Sequence, residues 1–155
     1  MLTSRTLRCL ALAFAFAGRQ VAAFAADSST LLDPETAFRI SARALDERAV
    51  EVEFRIAEGY YLYRDRFRFE TEDGKVLADA ELPAGKIKHD AFFGRSETYR
   101  DRVRIRVPLS AASIAKGRVK LKVTSQGCSD QGVCYIPQEQ WIEVRLASGM
   151  SRGSP

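Results

Sequence analysis

A chain of 155 residues with 46% hydrophobic side chains holds one domain with a single core, once a leader is set aside. Its formal charge of +4 falls to +1 without residues 1–25, which carry Arg5, Arg8 and Arg19 and no acid, so the basic balance gives no argument for nucleic acid. Acids and bases also interleave, as in Arg64-Asp65-Arg66 and Arg100-Asp101-Arg102, the pattern of a solvated surface.

Residues 1–25 have the grammar of an export signal. Arg5 and Arg8 precede a short apolar run, Leu10 to Ala17, and Ala23-Phe24-Ala25 offers a small-x-small cleavage pattern. The run falls well short of the roughly 20 residues of a membrane-spanning helix. The expectation is a soluble, exported protein cut near Ala25, with Cys9 lost in the leader. A domain over 26–147 then ends in a polar tail, 148–155, expected to fray.

Within the domain, Asp33-Pro34 predicts one helical turn. Period-two runs follow: Val50, Val52, Phe54 and Ile56; Phe67 and Phe69; Val103, Ile105 and Val107; Val119, Leu121 and Val123; Ile142, Val144 and Leu146. Charged residues fill the alternate positions, so each run buries one face and wets the other. Glu72-Asp73-Gly74, Pro83-Ala84-Gly85 and Lys116-Gly117 mark turns between them. No long amphipathic pattern interrupts, and the fold class expected is all-β, an antiparallel β-sandwich. Trp141 shares parity with Glu143 and Arg145, which places it on a wetter face or an edge.

The chemistry lies in Cys128-Ser-Asp-Gln-Gly-Val-Cys134, the pair left after the leader goes. An exported domain favours a structural staple for such a pair. A loop this short contributes only about 2–2.5 kcal/mol, however, and a domain of this size does not depend on it. A reversible dithiol is the other reading, and spacing alone leaves both open. Two cysteines and the lone His89 fall short of a metal's four ligands, so no metal is expected. His89 reads as a loop residue, with no motif to make it a base for a cysteine nucleophile. Phe92 and Phe93 are aromatic residues in a polar loop, serving either contact with a partner or core packing. Core packing alone accounts for Tyr60, Tyr61 and Tyr63. Gly127 and Gly132 bracket the cysteine hairpin, where unusual backbone conformations are expected.

Several blocks taken together resemble the N-terminal periplasmic domain of the DsbD family of thiol:disulfide interchange proteins. They are Leu32-Asp-Pro-Glu-Thr-Ala-Phe38, Glu58-Gly-Tyr-Tyr-Leu-Tyr-Arg64, Leu82-Pro83, His89-Asp-Ala-Phe-Phe-Gly-Arg-Ser-Glu-Thr-Tyr-Arg-Asp101 and Gln126-Gly-Cys-Ser-Asp-Gln-Gly-Val-Cys-Tyr-Ile-Pro137. The resemblance implies an immunoglobulin-like sandwich, likewise without a cofactor. Its cysteine pair relays two electrons from a thioredoxin-like donor to periplasmic partners of the disulfide-isomerase or cytochrome-maturation type. It implies Cys134 as the attacking thiol and Cys128 as the resolving one. Asp90, Phe92, Phe93 and Gly94 become a cap loop over the pair, with Tyr61 and Tyr63 lining the site. The expected protein is a monomeric protein-disulfide reductase or relay domain, free-standing or one piece of a larger system. The rival expectation is a non-enzymatic immunoglobulin-like binding module with an inert disulfide.

Overall fold

A computed structural model describes residues 31–146, so the expected leader and the expected tail at 148–155 lie outside the described residues. Each of the five alternating runs lies in or beside a strand, and five further strands join them. The strands are β1 (Phe38–Asp46), β2 (Ala49–Ile56), β3 (Tyr60–Tyr63), β4 (Arg68–Thr71), β5 (Lys86–Asp90), β6 (Gly94–Tyr99), β7 (Arg102–Pro108), β8 (Arg118–Ser125), β9 (Gly127–Ser129) and β10 (Gln138–Arg145). The helical turn at Asp33-Pro34 is α1 (Pro34–Ala37), and Ser110 caps a second short helix, α2 (Ala111–Ala115). Phe67 sits just ahead of β4, after a 3-10 turn at Arg64–Arg66.

Two antiparallel sheets, in the orders β1-β2-β7 and β10-β8-β4, carry the core between them. Val50, Val52 and Phe54 from β2, Val103, Ile105 and Val107 from β7, and Val119, Leu121 and Val123 from β8 share one buried cluster with Phe69 and Val144. Side chains alternate across a strand, so these residues face inward together, and each contributes about 1.5–3 kcal/mol by leaving water. The architecture is the expected all-β, immunoglobulin-like antiparallel sandwich. Among the described residues no helix is long and apolar enough to cross a membrane.

A third antiparallel sheet, in the order β5-β6-β3-β9, gathers the residues that matter for chemistry. Its strand β3 is buried at all four positions. Tyr60 and Leu62 join the main core, while Tyr61 and Tyr63 turn the other way into a second cluster with Cys128. The short strand thus ties the site directly to the sandwich.

Candidate active site

Strand β9 runs antiparallel to β3 with Cys128 opposite Tyr61. Its close approach requires glycine at 127, where a Cβ would sit 2.3 Å from the Tyr61 carbonyl oxygen and 2.6 Å from Cζ of Phe38. Space rather than an unusual dihedral is the reason there. Gly132 differs, with a φ of 81° that closes the turn of the cysteine hairpin. In that turn the Gly132 amide donates to the Ser129 carbonyl at 3.1 Å, and the Ser129 amide to the Val133 carbonyl at 2.8 Å. The chain thereby returns Cys134 opposite Cys128, and the two form a disulfide with Cα atoms 3.9 Å apart.

The two cysteines differ in burial. Cys128 is fully buried, whereas Cys134 is only half-buried. The Tyr63 oxygen lies 3.3 Å from the Cys128 sulfur and 3.9 Å from that of Cys134. A disulfide has no proton to give, so the hydroxyl is the donor. The Tyr61 hydroxyl lies 3.5 Å from that of Tyr63, and the rings meet edge to face.

The expected cap is the loop of the β5–β6 hairpin. Asp90 pairs with Gly94 through the backbone, leaving residues 91–93 as the loop, and Gly94 takes the left-handed φ of 64° that such a connection needs. Phe93 stands edge-on to the Tyr63 ring with centroids 4.8 Å apart, and the Arg66 guanidinium lies 4.4 Å from its centroid. Phe92 is 53% exposed and Phe93 37%. Beside that loop, Tyr63, Arg66, Phe93 and Arg95 line a groove. The structure therefore brings Cys128, Cys134, Tyr61, Tyr63 and Phe93 together, and Phe92 is the middle residue of the same loop. His89 is an exposed residue of β5, not of a loop, because the hairpin register extends through it to Asp90. Trp141 lies on the outer face as its parity required, with the Lys120 ammonium 5.0 Å from its ring.

Sequence reasoning assigned no role to the charged residues that hold this site. Arg64 donates to the carbonyls of Pro83 and Leu82 at 3.1 and 3.3 Å and pairs with Glu97 at 3.2 Å. Glu97 in turn accepts the Gly85 amide. Arg64, Leu82-Pro83 and Glu97 lie in three of the blocks that carried the family resemblance, and with Gly85 they fasten the base of the β5–β6 hairpin to the end of β3. Lys88 and Arg100 both lie over the Tyr61 ring, at 4.7 and 5.1 Å. Arg100 also binds Asp130, inside the cysteine loop, through two hydrogen bonds of 2.9 and 2.6 Å. Those bonds hold the Asp130 carboxyl below the usual carboxylate range and raise the Arg100 pKa. Tyr135, next to Cys134, donates to the Leu32 carbonyl at 2.5 Å. Burial, then the Tyr60 hydroxyl, pushes its pKa up to about 12. Among the described residues no three His, Cys, Asp or Glu side chains gather as metal ligands.

Residues 28–146 match the family described as Thiol:disulfide interchange protein DsbD, N-terminal. The chain belongs to the DsbD N-terminal family. It is 44% identical over 146 residues to the thiol:disulfide interchange protein DsbD of Ralstonia nicotianae, covering 93% of this chain and 23% of that protein. It is 40% identical over 119 residues to DsbD 1 of Pseudomonas aeruginosa, covering 76% and 20%. The chain thus spans less than a quarter of the length of these curated relatives. Among solved structures it is similar to the reduced DsbD N-terminal domain of Neisseria meningitidis. That match has 32% identity and a TM-score of 0.65, covering 77% of this chain and 93% of that one. It is also similar, at 34% identity and a TM-score of 0.60, to a chain of the complex between the DsbD N-terminal and PilB N-terminal domains of the same species, over 74% of this chain and 87% of that one. The site described above holds the disulfide that membership of a DsbD family leads one to look for.

Proposed function

We propose that this DsbD N-terminal domain is a periplasmic electron relay working by dithiol–disulfide exchange. A thiolate of a thioredoxin-like donor attacks the Cys134 sulfur, forming a mixed disulfide and releasing Cys128 as the leaving thiol. The donor's second thiol then attacks the mixed disulfide, so the donor leaves oxidised and the domain leaves reduced by two electrons. In the onward direction the Cys134 thiolate attacks the disulfide of a partner of the disulfide-isomerase or cytochrome-maturation type. Cys128 resolves that intermediate.

The unequal burial of the two cysteines supports this reading. Attack needs an approach path to one sulfur, and the half-buried Cys134 offers it while Cys128 is enclosed by its own domain. Tyr63 suits the role of a donor to sulfur as negative charge develops on Cys128. The cap ring of Phe93 on Tyr63 suits an entrance that opens on docking. The complex of the meningococcal DsbD N-terminal domain with a PilB N-terminal domain supports a protein partner for this domain.

The test is trapping with single-cysteine variants. Cys128→Ser leaves a thiol that holds a partner as a mixed disulfide, seen as a reductant-sensitive band on non-reducing gels. Cys134→Ser holds none. Equal trapping by both variants, or by neither, sinks the assignment.

A further inference from the structure

We propose that Arg100 is a positioning residue for the redox pair, acting through Asp130 to favour the closed disulfide. The inference rests on the relay reading, in which the pair cycles between two states, and it adds a determinant of where that cycle is poised.

Asp130 lies within the loop that the disulfide closes, and the loop is fastened to the sheet on two sides. Its amide donates to the Gly59 carbonyl at 2.7 Å. Its carboxylate takes both parallel bonds from Arg100, a planar fork that fixes direction as well as distance. Arg100 is itself aimed. One of its nitrogens reaches the Tyr60 carbonyl at 3.4 Å, and its guanidinium lies over Tyr61, the residue paired with Cys128. The next residue, Asp101, holds a left-handed φ of 59°, and its carbonyl accepts the Ile56 amide at 2.8 Å. Asp is among the few residues that adopt this conformation readily. The tight turn at Asp101 thus sets Arg100 from the main sandwich.

The consequence follows from linkage. With the sulfur–sulfur bond present, the loop is closed and the ion pair forms with little further ordering. With the bond reduced, the pair works beside the backbone bonds of the turn and of the β3–β9 pairing to keep the loop in register. Whatever the covalent bond does for the clamp, the clamp does for the bond, since coupling between linked equilibria is reciprocal. On reduction by a dithiol, the sulfur–sulfur bond takes two electrons and two protons to give two thiols, and the dithiol becomes a disulfide. Arg100 joins none of these bonds. It shifts the equilibrium by keeping Cys134 opposite Cys128.

A pure charge effect predicts a different pattern. A cation near the pair favours thiolates, so losing Arg100 would make the domain more reducing, and losing Asp130 would do the opposite. Loss of the clamp moves both variants the same way.

The experiment is the reduction potential of the mature domain, measured by equilibration with glutathione, for wild type, Arg100→Gln, Asp130→Asn, the double variant and the swap Arg100→Asp with Asp130→Arg. Each single variant is expected to weaken disulfide formation about fivefold, the low end for couplings between linked sites, which is about 20 mV toward oxidising values. The double variant moves no further than either single one, and the swap returns toward wild type. Unchanged potentials in both single variants overturn the proposal, whatever the thermal stabilities do, and so do shifts of opposite sign. If Arg100→Gln fails to fold, Asp130→Asn decides alone, because that side chain is 47% exposed and its loss leaves the core intact. A wild-type potential below about −300 mV counts against the relay reading instead, and the shifts still judge the clamp.

Discussion

Phe93 meets the Tyr63 ring edge-on and lies near the Arg66 guanidinium, yet more than a third of it stays in water. An aromatic pair of this kind contributes about 0.5–1.5 kcal/mol beyond its buried area, enough to close a loop and little enough to let it open. Replacing Phe92 and Phe93 together with Ala should therefore speed alkylation of the reduced thiols by a small reagent, since access as well as thiolate fraction governs attack. Stability should fall by only about 1–2 kcal/mol. Unchanged alkylation rates with a loss of several kcal/mol would make the rings packing residues and end the cap assignment. At this scale the sequence revealed which residue types mattered and little of how they meet. Tyr63 and Cys128 are 65 residues apart, and only the pairing of β3 with β9 brings them within 3.3 Å. Arg100 and Asp130 offered no local signal, because either could have been an ordinary surface charge.

Strand β3 shows why some elements were legible and others were not. The runs in β2, β7, β8 and β10 alternate because one face meets the core and the other meets water. Tyr60-Tyr-Leu-Tyr63 is buried on both faces, so it has no alternation to read. Strand β1 alternates, but two of its inward positions are Ala42 and Ala44, side chains too small for a clear apolar signal. Strands β5 and β6 are mostly polar and are defined by their pairing, β5 with β6 and β6 with β3. The outer faces have their own consequence at this scale. Glu53 on β2 receives Arg104 at 2.7 Å, Arg55 at 2.9 Å and Arg102 at 3.6 Å, and these, the Arg104 bond first, lower its pKa to about 2. A carboxyl whose folded pKa lies below its unfolded value contributes stability that is complete above about 4.5 and is lost as pH falls toward 2. Glu53→Gln should melt below wild type at pH 7, and the gap should narrow as the pH drops to 3. A gap in Tm that stays constant across that range would show that the carboxylate is not what these arginines stabilise.

For the molecule as a whole, the question is whether a domain can open its own cross-link without coming apart. The partition of its buried residues answers it. The main core runs through β2, β4, β7, β8 and β10 and contains neither cysteine, while the pair sits in a separate small cluster with Tyr61 and Tyr63. The disulfide closes a short loop with a sequence separation of 6, worth about 2–2.5 kcal/mol of denatured-state entropy. A domain of this size typically holds 5–15 kcal/mol in reserve. Serine at position 128 is enclosed, but its hydroxyl would lie against that of Tyr63, now 3.3 Å from the sulfur, so the new polar atom has a partner. The variant carrying both Cys128→Ser and Cys134→Ser should therefore keep near-native circular dichroism and melt in one cooperative step. Its Tm should be lower by on the order of 10 °C. A relay needs this property, because its reduced state must wait, folded and with the two thiols in register, for the next partner. If the double variant is unfolded at 25 °C, the disulfide is a staple that the fold cannot release, and the chain is a binding module rather than a carrier of electrons.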